Sequence, residues 1–257
     1  MSEHILVDRR GELLSLTLAR PERRNAITVA MYAALADAIE GAAGDPTVRL
    51  ITLKGQGEDF TAGNDLADFL NAMPAPGSDT DIPVWRLLRA LAKNEVPLVA
   101  AVHGNAVGIG TTMLFHCDLV VVEQGSRFIM PFVDLGLVPE AASSLLMPSL
   151  SGRRAAARHI LLGEPFGADQ ALSIGLASHV VEKGALAAAL DKIVAALLAK
   201  PAEAMRLTQS LLRRSDRAEV LERMELENGH FGERLTSDEV KQAISAFFAK
   251  RASSPRP

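Results

Sequence analysis

The apolar residues in the first half of the chain change period repeatedly, and that alternation limits the fold more than any other feature. "HILVDRRGELLSLTLAR" reads as two short strands around "RRGE", with Leu13, Leu14, Leu16 and Leu18 marking the second. "ITVAMYAALADAIEGAAGD" switches to helical spacing and stops at glycine and aspartate, and "VRLITLKGQG" returns to a strand. "PVWRLLRALAKNEVPLVAAVHG" gives a helix and a buried strand, "GIGTTMLFHCDLVVVEQ" a helix running into another, and "SRFIMP" a short extended piece. Strand, loop and helix in rotation predict an α/β domain. After about residue 145 strands nearly vanish, and runs such as "GALAAALDKIVAALLAK" and "RAEVLERMELENGHF" predict helices punctuated by glycine or proline. The expected organisation is a core domain over 1–197 and a C-terminal helical region over 198–257. The loop "NAMPAPGSDTDIP" is expected to be mobile and the tail "ASSPRP" frayed.

Composition narrows the partners. A net charge of −4 gives no electrostatic reason to expect nucleic acid, and no stretch reaches membrane-spanning length without charge or proline. The opening residues lack the pattern of a secretion signal, and the chain ends "PRP" rather than in a peroxisomal tripeptide. The single cysteine, Cys117, excludes an internal disulfide and a cysteine-based zinc site, so a cytoplasmic location is expected.

Two glycine-containing loops follow strands: "GEDFTAGNDL" and "GNAVGIGTTM". Neither ends in the lysine-threonine of a phosphate-binding loop, and the second lacks the spacing of a dinucleotide fingerprint. Glycine lets backbone approach a ligand, and the first turn of a helix leaves N–H donors without partners. Two such loops at neighbouring strand ends would converge on one oxygen, as an oxyanion hole does.

These segments resemble those of the crotonase superfamily, the enoyl-CoA hydratase/isomerase fold, nearly end to end. "RPERRNAIT" resembles the family's early CoA-contacting segment, "DFTAGNDL" its first oxyanion loop, "VHGNAVGIGTTMLFHCDLVV" its second, and "SDEVKQAISAFFAKR" its terminal helix. The resemblance implies a spiral of repeated strand-strand-helix units with a C-terminal helical trimerisation region. It also implies an acyl-CoA thioester as substrate, neither metal nor redox cofactor, and a homotrimer or dimer of trimers. The implied oxyanion donors are the N–H groups of Asn64, after Gly63, and of Ile109, between Gly108 and Gly110. CoA is implied to lie near Arg24, Ala26 and Ala62, with Phe247 and Lys250 reaching it from the last helix.

Hydratases of this family carry a pair of glutamates, and the positions resembling theirs are Thr112 and Phe132, which cannot exchange a proton as carboxylates do. One acid remains. Alone, Pro139 and Glu140 read as the opening of a helix, since acids near an N-terminus suit the macrodipole. Yet "PFVDLGLVPEAASSLLMP" resembles the pattern of the peroxisomal-type Δ3,Δ2-enoyl-CoA isomerases, in which the glutamate matching Glu140 is the base. The expected function is therefore a 3-enoyl to 2-enoyl-CoA shift. Another crotonase reaction such as weak hydration, or non-catalytic acyl-CoA binding, stands as the alternative. Phe132, Ile109 and Met113 are expected as apolar walls, with Trp85, Leu87 and Leu88 as a possible channel lining or simple core. Asp134 is the second choice of base, and Asp65 reads as a helix cap. His103 and His116 have no metal-site spacing, and Ser143 and Ser144 no histidine partner in view.

Overall fold

The computed structural model of the chain describes residues 2–68, 82–214 and 217–253, with the side chains of residues 214 and 247–253 outside the described set. The loop at 71–83, but for its last two residues, and the end of the tail lie outside it too. The chain opens with β1 (Ile5–Arg10), β2 (Leu13–Leu18), α1 (Val29–Gly44), β3 (Leu50–Gly55) and α2 (Pro83–Lys93). It continues through β4 (Leu98–Val102), β5 (Asn105–Val107), the short α3 (Ile109–Thr112), β6 (Leu119–Glu123) and β7 (Arg127–Ile129). Then come α4 (Ser143–Ser151), α5 (Arg153–Ile160), β8 (Phe166–Gly167), α6 (Ala168–Ser173), β9 (His179–Val181) and α7 (Leu186–Leu198). Three helices close the chain: α8 (Ala202–Arg214), α9 (Arg217–Leu235) and α10 (Asp238–Ser253).

The larger sheet has six strands in the order β1-β2-β3-β4-β6-β9. Only the β1–β2 hairpin is antiparallel. Because side chains alternate across a strand, each central strand feeds two apolar layers. Leu98, Ala100, Val102, Val120 and Val122 join the main core with α1 and α2, whereas Leu50, Val99, Ala101 and Val121 pack with Leu190 of α7. Burying both faces explains why these parallel strands read as unbroken apolar runs. Enclosing a leucine such as Leu88 contributes about 1.5–3 kcal/mol. The alternation in β2 has the same origin, with Leu16 and Leu18 fully buried.

A smaller sheet stands beside it in the order β5-β7-β8. Successive units place one strand in each sheet: β4 then β5, and β6 then β7. The segment after β3 follows the same course, because Thr61 bridges Ala106 of β5 in parallel. This winding is the expected spiral, and it carries the loop after each small-sheet strand to one region. The last helices fold back on it: Arg234 of α9 donates to the Gly136 carbonyl at 2.9 Å, and Val240 of α10 lies against Gly136.

Candidate active site

The first glycine loop is held by a buried asparagine. Asn25, fully enclosed and left-handed at φ 54°, donates through Nδ2 to the carbonyls of Gln56 (2.7 Å) and Asp59 (2.8 Å). Its own carbonyl accepts from the Thr61 hydroxyl at 2.6 Å. A short polar side chain that tolerates the left-handed region suits this position. The Ala62 N–H donates to the Arg24 carbonyl at 2.8 Å, so the structure brings Arg24, Ala26 and Ala62 to one edge of the loop. The Arg24 side chain is two-thirds exposed, 3.8 Å from Asp59.

Ile27 and Asn64 form a parallel bridge in which the Ile27 N–H donates to Gly63 and the Asp65 N–H to Ile27. That pattern uses the groups on either side of Asn64 and leaves its own N–H without a partner among the described residues. The second donor arises differently. Ile109 is the first residue of α3, where an N–H has no intrahelical acceptor. Gly108 before it sits at φ 55°, ψ −119°, a conformation reserved in practice for glycine, and its N–H is tied to the Ile129 carbonyl at 2.8 Å. The two loops touch. A Cβ on Gly63, at φ 84°, would fall 2.7 Å from the Val107 carbonyl oxygen, and Gly110 lies against Thr61. Asn64 follows Gly63 and Ile109 lies two residues beyond Val107, so each free N–H adjoins this contact.

Glu140 is buried on the side of α3 away from its start, and Thr112, the last residue of that helix, donates its hydroxyl to Glu140 Oε1 at 2.5 Å. The other carboxyl oxygen of Glu140 has no hydrogen bond among the described residues. Glu140 does not open a helix: α4 starts at Ser143, after Ala141 and Ala142 in left-handed conformation at φ 61° and 55°. The Ser143 N–H closes this turn onto the Glu140 carbonyl at 3.0 Å, joined by the Ser143 hydroxyl at 2.6 Å. Left-handed alanines cost on the order of 1–3 kcal/mol each and persist only where the surroundings hold them. The holders are His116, donating Nε2 to the Ala141 carbonyl at 2.8 Å, and Glu227 of α9, accepting from the N–H groups of Ala142 (2.6 Å) and Ser144 (2.9 Å).

Burial pushes the Glu140 carboxyl up to about 8; the Thr112 hydrogen bond works against this and the Glu227 charge adds to it. Burial also raises the Tyr32 hydroxyl, and the charge of nearby Glu140 raises it further. His116 is pushed down to about 4, chiefly by burial, and is neutral. Stability should record the Glu140 shift. Below its ordinary value of 4.5 the carboxyl is protonated in folded and unfolded chains alike. Between 4.5 and about 8 only the unfolded chain gives up the proton, so this group makes stability fall as pH rises, until the folded form ionises too. Glu140→Gln should therefore raise Tm over the native chain by more at about pH 9 than at about pH 5, as thermal melts would read. An equal difference at both pH values would mean that the carboxyl titrates normally.

The remaining sequence candidates separate. Phe132, Ile109 and Met113 are buried members of the main core cluster, to which Glu140's neighbours Ala141 and Ala142 also belong. Leu87 and Leu88 belong to the same cluster, and Trp85 packs edge-on against Phe231 at 5.6 Å. Asp134 lies exposed on the turn Val133–Leu135, its carboxylate against Gly163. Asp65 accepts from the Asp68 N–H at 3.4 Å, as a cap does, and pairs with Arg20 at 2.8 Å. His103 donates to the Gly57 carbonyl at 2.9 Å, and the Ser144 hydroxyl accepts from Arg223 at 3.3 Å. Burial drives the Cys117 thiol up to about 12, which leaves it an unreactive side chain. Phe247 and Lys250 lie on α10, but their side chains are outside the described residues. Among the described residues no three His, Cys, Asp or Glu side chains gather as metal ligands, and no helix is long and apolar enough to cross a membrane.

Thr112, Tyr32 and Glu227 have roles in the structure that the sequence reading does not give them. Thr112 cannot itself exchange a proton as a carboxylate does, yet its hydroxyl holds the Glu140 carboxyl. Tyr32, fully buried on α1, donates its hydroxyl to Asn64 Oδ1 and so fixes the side chain of the first loop. Glu227 had a legible signal: the buried stripe of α9 is Val220, Met224, Glu227 and Phe231, and an acid on an apolar stripe must have a partner inside.

A family model described as enoyl-CoA hydratase/isomerase matches residues 8–254. The chain is 32% identical over 256 residues to 1,2-epoxyphenylacetyl-CoA isomerase of Escherichia coli (strain K12), covering 98% of each. It is 30% identical over 253 residues to enoyl-CoA delta isomerase 2 of Rattus norvegicus, covering 97% of this chain and 64% of the rat protein. Relatives of comparable identity are named as hydratases. The crystal structure of an enoyl-CoA hydratase/isomerase from Pseudoalteromonas atlantica T6c superposes with a TM-score of 0.91 at 40% identity, covering 99% of this chain and 100% of that one. With the match spanning both glycine loops and the Glu140 turn, the chain belongs to the enoyl-CoA hydratase/isomerase family of the crotonase superfamily.

Proposed function

We propose that the chain is an acyl-CoA double-bond isomerase that converts a 3-enoyl-CoA to the 2-enoyl-CoA, with Glu140 as its base. The observation that carries this reading is the count of available carboxylates. Glu140 keeps one oxygen free, whereas both oxygens of Glu227, the other buried acid beside it, are taken by backbone N–H groups. One base suits a 1,3 proton shift better than hydration, which in this family uses two. Ionised Glu140 takes a proton from C2, the pair left behind forms a C1–C2 double bond, and the carbonyl π pair moves onto the thioester oxygen, giving a dienolate that still holds the C3–C4 double bond. The N–H groups of Asn64 and Ile109 hold that oxygen. Neutral Glu140 then returns the same proton at C4, leaving a C2–C3 double bond. No electron is exchanged, so the step calls for no redox cofactor. A base near 8 matches a weakly acidic carbon better than an ordinary carboxylate does.

Arg24 and the Ala26 and Ala62 backbone are the proposed CoA contacts, with Phe247 and Lys250 completing them in a cytoplasmic homotrimer or dimer of trimers. Leu161, Leu162, Leu211 and Leu212, each more than 60% exposed, are apolar surface that such an assembly would cover. The test is spectroscopic: the native protein is mixed with 3-enoyl-CoA and, separately, 2-enoyl-CoA, and conjugated thioester is followed. Conjugation of the 3-enoyl ester supports the isomerase. Loss of the 2-enoyl ester alone would replace it by hydration, and tight binding of both without turnover by a binding role.

A further inference from the structure

We propose that Glu227 is a positioning residue for the Glu140 base, gripping the backbone on both sides of Ser143 so that the left-handed turn aims the Glu140 side chain between the two glycine loops. The inference rests on the reading of Glu140 as the base. Its footing is geometric. Glu227 Oε2 accepts from the Ala142 N–H at 2.6 Å and Oε1 from the Ser144 N–H at 2.9 Å, so one carboxylate spans three residues of main chain. The residue is 5% exposed, and among the described residues no salt bridge within 4 Å reaches its carboxylate. Burying a carboxylate is costly, and backbone donors recover part of that cost only when both oxygens are used. Glycine at 141 and 142 would hold the same turn with no clamp at all, but it would leave the preceding glutamate free to swing.

A second anchor comes from the opposite side. His116 holds the Ala141 carbonyl at 2.8 Å from the segment that continues directly from Thr112, and Thr112 holds the Glu140 carboxyl at 2.5 Å. Glu140 is thus fixed at its tip and, through the turn, at its main chain. The groups facing this cluster are Tyr32 on α1, His116 after α3, Arg223 and Glu227 on α9, and Glu140 itself. Arg234, farther along α9, binds the Gly136 carbonyl. Burial raises the Glu227 carboxyl, while its hydrogen bonds to Ser144 and Ala142 and the charge of Arg223 lower it. The Glu227 charge in turn adds to the upward shift of Glu140.

The test is Glu227→Gln in the full chain. An amide has one acceptor oxygen, so one of the two N–H groups loses its partner, and the charge disappears. Misaiming a base by about an ångström lowers kcat by about a hundredfold, with KM for the enoyl-CoA little changed. The ionisation of Glu140, followed by carbon NMR of side-chain-labelled glutamate with Glu140→Gln as the assignment control, should move down by about one pH unit as the neighbouring charge is lost. A purely structural role would lower Tm and leave that midpoint in place. An unmoved midpoint, or a native kcat in Glu227→Gln, would overturn the proposal. If the native chain turns over no 3-enoyl-CoA, the isomerase reading has failed separately, and the titration alone decides whether Glu227 acts on Glu140. Should Glu227→Gln not fold, pairing it with Ala142→Gly relieves the left-handed turn and keeps the titration readable.

Discussion

Glu140→Gln is expected to lower kcat for 3-enoyl-CoA by about a hundred- to ten-thousandfold while leaving KM close to native. The substitution is nearly isosteric. Its amide oxygen can still accept from Thr112, which holds the carboxyl at 2.5 Å, so the turn and the apolar wall of Phe132 and Met113 stay in place. What is removed is the ability to take and return a proton. Because the free Glu140 oxygen is the group proposed to meet C2 and C4, the loss should fall on the transition state rather than on binding. The native enzyme should show the matching pH dependence, with kcat/KM rising as Glu140 ionises near 8 and flat in the variant's residual rate. Isomerisation by Glu140→Gln at a near-native rate would remove Glu140 from the mechanism. Asp134 would be a poor replacement, since it stands exposed against Gly163.

How much of this was legible in the sequence depends on the range of the forces involved. The first five strands of the larger sheet and the long helices announce themselves because burial on a face imposes a period, as Leu14, Leu16 and Leu18 show in β2, whereas the three-residue β9 does not. The smaller sheet is nearly silent: β7 shows as the extended piece in "SRFIMP", but β5 and β8, with three and two residues, are too short to carry an alternation. In the "RPERRNAIT" segment the arginines drew attention to CoA, yet Asn25 is the residue that ties that segment to the first glycine loop. The direction of the Glu140 shift could not be read either, because an acid before a helix is pulled down by the macrodipole and pushed up by burial. Helix α4 begins only at Ser143, and burial prevails. Tyr32 and Glu227 reach the site from α1 and α9, and only the folded chain puts them there.

The second large effect concerns the backbone donor of the other loop. Ile109→Pro removes one N–H and little else, because Ile109 is the first residue of α3, a position where proline's fixed φ suits the helix and no intrahelical bond is lost. Proline disfavours helical backbone in the residue before it, but Gly108 already lies outside that region at ψ −119°. The side chain of Ile109 is buried, so Ile109→Ala is the proper reference: it loses the same packing and keeps the N–H. Relative to that reference, Ile109→Pro should lower kcat by about a hundred- to a thousandfold, the usual cost of one oxyanion donor. The charge on the thioester oxygen develops as the C2 proton leaves, so ground-state affinity for the CoA ester should change far less than the rate. Loss of exchange between the C2 hydrogens and solvent in Ile109→Pro would place the defect at dienolate formation. Equal rates in Ile109→Pro and Ile109→Ala would mean that this N–H does not meet the oxyanion, and Asn64 alone would have to carry the charge.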